Sequence, residues 1–175
     1  MKPHPSKLFL AALAAVLLAV PAAAPALADD SVSGTASAAG PDIIKINGQS
    51  IVLLGIDAPE ANQPCHDNGK DWGCADTAFA VLDQTVKQGT VTCQLSGAPD
   101  PFGKRGGLCT VNGKDVGDEL IKQGLAVAYP HDPESKNYLA DQKVAKAAKL
   151  GLWADGVSFD MPWVWRGMHN HTPFK

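Results

Sequence analysis

The sequence predicts a small α+β domain, with five short strands, one helix among them and two helices after them. Three observations lead there. The apolar runs are short and end in Gly, Asn or Asp, as strands of a tightly turned sheet do. Asn47-Gly48 separates two such runs, the strongest local sign of a hairpin, and Asn112-Gly113 turns the chain after a later one. Between these two turns, Ala75, Phe79, Leu82 and Val86 repeat at helical spacing.

In chain order, residues 1–28 read as a leader. Lys2 and Lys7 precede an apolar run from Leu8 to Val20, and Ala26-Leu27-Ala28 is a small-x-small cleavage site. The run is too short for a membrane span, and no later stretch is apolar enough for one. Cleavage after Ala28 predicts a periplasmic or secreted protein. Residues 29–39 read as a flexible tail whose end can start a strand. The domain is expected over residues 40–170, with 171–175 as a second tail. Strands are predicted over 43–46 and from Ile51, then a polar loop over 61–73 and a helix over 75–87 ending at Gly89. Strands follow over 90–95 and 107–111, separated by a loop carrying Asp100, Phe102, Lys104 and Arg105. Asp115 caps a helix over 116–123, and 126–129 is extended. Asp132-Pro133 opens a long helix reaching about Lys149, with Gly151 past its end. Trp153, Phe159, Trp163 and Trp165 in the tail are expected to plug the core. Five short strands with helices in this order fit a five-stranded Greek-key OB-type barrel with three helices.

Removing Lys2 and Lys7 leaves 13 basic residues against 18 acidic ones, a net charge of −5. The chain therefore lacks the overall basic footprint of a nucleic-acid binder, and such binding would rest on a local patch. Four cysteines in an exported chain predict two disulfides, and the absence of any CxxC pair argues against zinc. Of three possible pairings, Cys65–Cys74 closes a Gly-rich loop and Cys93–Cys109 links two predicted strands, and these are preferred.

Chemistry is expected around IVLLGIDAPE, residues 51–60. Its strand stops at Gly55, and Asp57 and Glu60 follow in a turn stiffened by Pro59. Asp42 heads the strand paired to it. Three acids on two paired strands form a candidate cradle for a hard cation.

Several motifs in order carry a resemblance: GIDAPE at 55–60, Trp72-Gly73-Cys74 leading into the helix, and D-x-F-G at 100–103. QGLAVAY at 123–129, GLW at 151–153 and P-W-x-W-R at 162–166 continue it. The chain resembles the thermonuclease, or staphylococcal-nuclease-like, family in its exported, cysteine-containing form. The resemblance covers nearly all of residues 40–166. It implies an OB barrel and Ca²⁺-assisted hydrolysis of DNA or RNA phosphodiesters. It places the ion on Asp42, Asp57 and the backbone carbonyl of Ala58, assigns the attacking water to Glu60, and sets Tyr129 near the nucleotide.

Two departures count against turnover. The family's two catalytic arginines fall on Val52 and Lys104. Valine offers no donor, and lysine offers a charge without the planar fork. Losing one such donor costs ~10²–10³ in rate. Arg105 would replace the second arginine only through a bulge or register shift, because neighbours on an extended strand face opposite ways. The loop tyrosine is Phe102, and the family's D-G-D-T is Gly40-Pro41-Asp42-Ile43 here. Two readings follow: a calcium-dependent nuclease of reduced or absent turnover, acting on single-stranded DNA or RNA as a monomer, or a non-catalytic OB-fold protein that holds an anion, a nucleic acid or a protein. His169-Asn170-His171 spells another nuclease motif without its ββα context, His66 and His131 read as solvated, and Lys136, Lys143, Lys146 and Lys149 read as a solvated helix face.

Overall fold

The computed structural model of the protein describes residue 1 and residues 30–169. The expected leader, apart from Met1, and the 171–175 tail lie outside the described residues.

The strands are β1 (Ser31–Gly34), β2 (Ala36–Ala38), β3 (Ile43–Ile46), β4 (Gln49–Leu53), β5 (Ile56–Asp57), β6 (Cys65–Asp67), β7 (Lys70–Trp72), β8 (Val91–Ser96), β9 (Arg105–Val111), β10 (Lys114–Asp115), β11 (Val127–Ala128) and β12 (Val157–Phe159). The α-helices are α1 (Cys74–Val86), α2 (Val116–Lys122), α3 (Leu139–Ala147) and α4 (Pro162–Met168), with 3-10 turns at Pro133–Asn137 and Gly151–Trp153. The architecture is α+β.

The main sheet runs β1-β8-β9-β4-β3-β2, with β10 paired to β9. Its ladder does not close. Yet its two outermost strands, β1 and β2, are consecutive in the chain with only Thr35 between them. The sheet therefore curls until its edges meet at that residue, in the sense that strand twist favours. Asn47-Gly48 has φ of 50° and 85°, as a two-residue hairpin turn requires, and it sets Ile44 opposite Ile51 and Ile43 opposite Val52. β4 runs parallel to β9, with Val52 beside Gly106. The inner faces of the sheet, α1 and α2 form one core that includes Ile44, Ile46, Ile51, Leu82, Val86, Val91, Leu120 and Ile121. Burial of this apolar surface is the dominant stabilising term.

Several expectations are corrected. In place of a five-stranded closed barrel with three helices, the described residues hold a seven-stranded sheet whose ladder stays open, and four α-helices. The stretch read as a tail supplies β1 and β2, because Val32 and Ala36 pack on or into the core. The loop over 61–73 contains the hairpin β6–β7, turned by Asn68-Gly69 at φ of 49° and 76°. The long helix is two pieces, because Tyr138 turns inward at φ −107° and is buried at the junction. On α1 the buried face includes Ala78 and Thr85, and Phe79 is exposed. The aromatic tail forms α4, with Pro162 at its first turn.

The disulfides are Cys65–Cys74 and Cys93–Cys109, the pairs favoured by loop closure and strand placement. Cys93 and Cys109 sit directly opposite on β8 and β9, 4.0 Å apart at Cα, as close as a non-hydrogen-bonded antiparallel pair comes. β12 pairs with β6, so Phe159 lies against Cys65 and the chain leading to α4 is anchored beside a bridge.

Candidate functional site

Asp42 precedes β3 and is buried; its carbonyl accepts the Leu53 N–H at 3.0 Å and its Oδ2 accepts the Ala58 N–H at 3.0 Å. Asp57 ends β5 and is fully buried. Ala58 is buried beside it, and Glu60 is half-buried with its N–H donated to Gln63 Oε1 at 3.1 Å. Gln63 in turn donates to the Asp160 carbonyl at 2.5 Å, so the acidic turn is tied to the residues that introduce α4.

The side chain that completes this cluster is Arg166 of α4. Its Nη1 and Nη2 donate to Asp57 Oδ1 and Oδ2 at 2.9 and 2.7 Å, a two-pronged pair, and Nη1 also donates to Glu60 Oε1 at 2.6 Å. The guanidinium is buried, as such a cation is only when paired. Burial pushes the Asp57 carboxyl up to about 6 against the pull of Arg166, with the Glu60 charge adding to the rise. Arg166 itself is raised above the ordinary arginine value: burial opposes its charge, and hydrogen bonding and charge from Asp57 and Glu60 more than offset that.

The other predicted residues meet elsewhere. A cleft of about 730 Å³ is lined by Val52, Lys104, Arg105, Tyr129 and His131 over an apolar floor that includes Leu54 and Ile56. Ile56 is on its wall and Asp57 is not, as alternation along a strand requires. Lys104, just before β9, and Arg105, its first residue, both line it. Arg105 Nη2 meets Asp30 at 2.6 Å, and its Nε is buried without a hydrogen-bond partner. Lys104 Nζ lies 3.9 Å from Asp100 and 5.8 Å from the Phe102 ring. Asp100 shapes this loop by accepting the N–H groups of Phe102 and Lys104 at 2.9 and 2.8 Å. Tyr129 packs against His131 and Trp163, at ring separations of 5.3 and 5.5 Å, and this aromatic group borders the cleft.

Arg166 enters the sequence reading only as the last residue of P-W-x-W-R, with no place in the site. The signal was a lone arginine among apolar and aromatic residues, Trp163 to Met168. Such a cation needs a carboxylate partner.

The residues do not fit a divalent cation as they stand. A hard cation of the calcium type takes six to eight oxygens. Here both Asp57 oxygens and one Glu60 oxygen are engaged by Arg166. Among the described residues no group of three or more His, Cys, Asp or Glu is arranged to hold a metal.

A curled sheet, an acid cluster closed by Arg166, and an aromatic-bordered cleft lined by Lys104 and Arg105 together with Asp100, Asp132 and Glu134 mark a small α+β domain of the nuclease-like type. Residues 50–155 match the profile of the staphylococcal nuclease homologue family. The succinoglycan biosynthesis protein ExoI of Rhizobium meliloti is 34% identical over 158 residues, which cover 86% of this chain and 81% of that protein. The endonuclease YncB of Bacillus subtilis is 29% identical over 123 residues, covering 65% of this chain and 57% of its own length. The staphylococcal-like nuclease CAN1 of Arabidopsis thaliana is 28% identical over 149 residues, 78% of this chain and 41% of CAN1. The chain belongs to the staphylococcal nuclease homologue family. It spans about half the length of these two nucleases.

Proposed function

We propose that this is an exported thermonuclease-like protein whose site has lost most of its phosphodiesterase chemistry. The observation that supports the reading best is that Val52 and Lys104 stand where the family has its two catalytic arginines; the Arg166 fork also engages the two acids the family would use for the ion and the water. Val52 and Lys104, in place of arginines, weaken the grip on a phosphate in the transition state, where positioning and charge stabilisation supply most of the rate. A calcium ion on Asp42, Asp57 and the Ala58 carbonyl would have to displace a buried guanidinium, so any calcium dependence is weak. The curled sheet is read as an OB-type barrel whose edges are joined at Thr35 rather than by a closed ladder. The molecule acts as a monomer in the periplasm or outside the cell, where its two disulfides persist.

One observation favours a binding role on the same scaffold. The cleft carries Lys104 and Arg105 beside Tyr129 and His131, two cations and rings on which bases of a single strand can stack, although Asp100, Asp132 and Glu134 also line it. Digestion of single-stranded DNA, with Ca²⁺ and with chelator, tests the reading. The expected result is slow or no cleavage in both, with retention of the oligonucleotide at low salt. Chelator-sensitive turnover near that of YncB would overturn it.

A further inference from the structure

The Arg166 guanidinium supplies more than a fastening for α4. It faces both oxygens of Asp57 and one of Glu60, and its side chain is only 8% exposed. A buried carboxylate requires a compensating positive charge, and removing one member of such a pair is strongly destabilising. In this chain the charge comes from the polypeptide itself, through a helix held in place by the β6–β12 pairing and by Gln63 on the Asp160 carbonyl. The geometry points to Arg166 as the resident cation of the acidic pocket, taking the place of a divalent metal, so that the folded protein carries this site complete without any ion. A guanidinium neutralises Asp57 permanently and in a fixed plane. A bound ion would leave with chelator and would be set by the calcium concentration outside the cell.

The inference concerns ion occupancy, not turnover, so its test is independent of whether any nuclease activity survives. Calcium is titrated into the intact protein and followed by calorimetry and by Tm. The expected result is no saturable binding in the millimolar range and no rise in Tm beyond about 1 °C between chelator and excess Ca²⁺. Arg166→Met vacates the position. That variant is expected to gain saturable Ca²⁺ binding, at least about tenfold tighter than wild type, and to lose it again when Asp57→Asn is added. Saturable binding by wild type that Asp57→Asn abolishes would overturn the inference. So would a folded Arg166→Met protein that binds no calcium. If Arg166→Met does not fold without calcium but folds with it, the inference is supported. If it folds in neither, the wild-type guanidinium NMR resonances of Arg166 decide: unchanged by excess Ca²⁺ they support it, and shifted or lost they refute it.

Discussion

Arg105 Nη2 and the Asp30 carboxylate are 2.6 Å apart, joining the wall of the cleft to the start of the described chain. The Asp30 carbonyl also accepts the Leu95 N–H at 2.7 Å, so the segment is held by backbone as well as by charge. Hydrogen bonding to Arg105 holds the Asp30 carboxyl below the usual carboxylate range, and the same bond raises Arg105. Both groups are therefore charged at neutral pH. An anionic ligand in the cleft competes with Asp30 for the guanidinium. Asp30→Asn is expected to tighten binding of a single-stranded oligonucleotide about threefold at low salt, and Arg105→Ala to weaken it by a similar factor. Fluorescence anisotropy measures both; no change in either variant would remove Arg105 from the binding surface.

The pH response of the acid cluster has a definite sign. The Asp57 carboxyl titrates near 6 in the folded protein against an ordinary value of 3.8. The folded state then holds this proton more tightly than the unfolded chain does. Its contribution to stability therefore falls as pH rises from about 4 to about 6, and is flat above that window. Carbon-detected NMR of the Asp57 carboxyl should show the midpoint near 6. A midpoint at or below 3.8 would mean that the Arg166 charge outweighs burial.

Placing arginine at positions 52 and 104 asks whether the cleft or the acid cluster limits any turnover. Val52 lies beside Gly106 in the parallel β4–β9 pair and borders the cleft, so an arginine there can reach into it. Val52→Arg with Lys104→Arg is expected to raise single-stranded DNA cleavage by about tenfold, short of the ~10²–10³ that one phosphate-stabilising donor is worth, because Arg166 still engages Asp57 and Glu60. No gain in initial rate would place the limitation wholly in the acid cluster.

Gly55 is required by its surroundings. It sits at φ +78°, and a Cβ there would lie 2.6 Å from Tyr138 Cε2 and 2.7 Å from the Glu134 carbonyl carbon. Its N–H donates to Asp132 Oδ2 at 3.0 Å, so the turn is clamped under the 3-10 segment. Gly55→Ala is expected to cost about 2–3 kcal/mol in a denaturant titration, through both strain and overpacking.

Breaking the cross-strand bridge tests the sheet separately. Cys93→Ala with Cys109→Ala opens a loop of sequence separation 16. Loop-closure entropy predicts a loss of about 3 kcal/mol in unfolding free energy, read from a denaturant titration in which the slope rises as the unfolded chain is freed.

What the sequence displayed was local. Asn47-Gly48, the Asp115 cap that accepts the Asp118 N–H at 2.9 Å, and the apolar spacing of α1 each act over a few residues, and each appears within a residue or two of its expected place. Asn68-Gly69 carries the same hairpin signature as Asn47-Gly48 and was legible on the same grounds; the polar residues around it masked a pair of strands, of which β6 also pairs with β12. The break at Tyr138 was hidden because its cause is tertiary: the ring is buried and its hydroxyl donates to the Asp115 carboxylate at 3.2 Å, a contact between distant segments. The acid cluster was half legible. Asp57 and Glu60 announce themselves in one turn, whereas Arg166 reaches them across separations of 109 and 106 residues, and no periodicity encodes such a meeting.

The Cys65–Cys74 bridge closes the hairpin on which β12 rests, and α4 begins three residues beyond β12. A thiol reductant acting on that sulfur pair is expected to loosen the support beneath the helix that delivers Arg166. Electron supply would then bear on the charge balance of the acids that Arg166 meets.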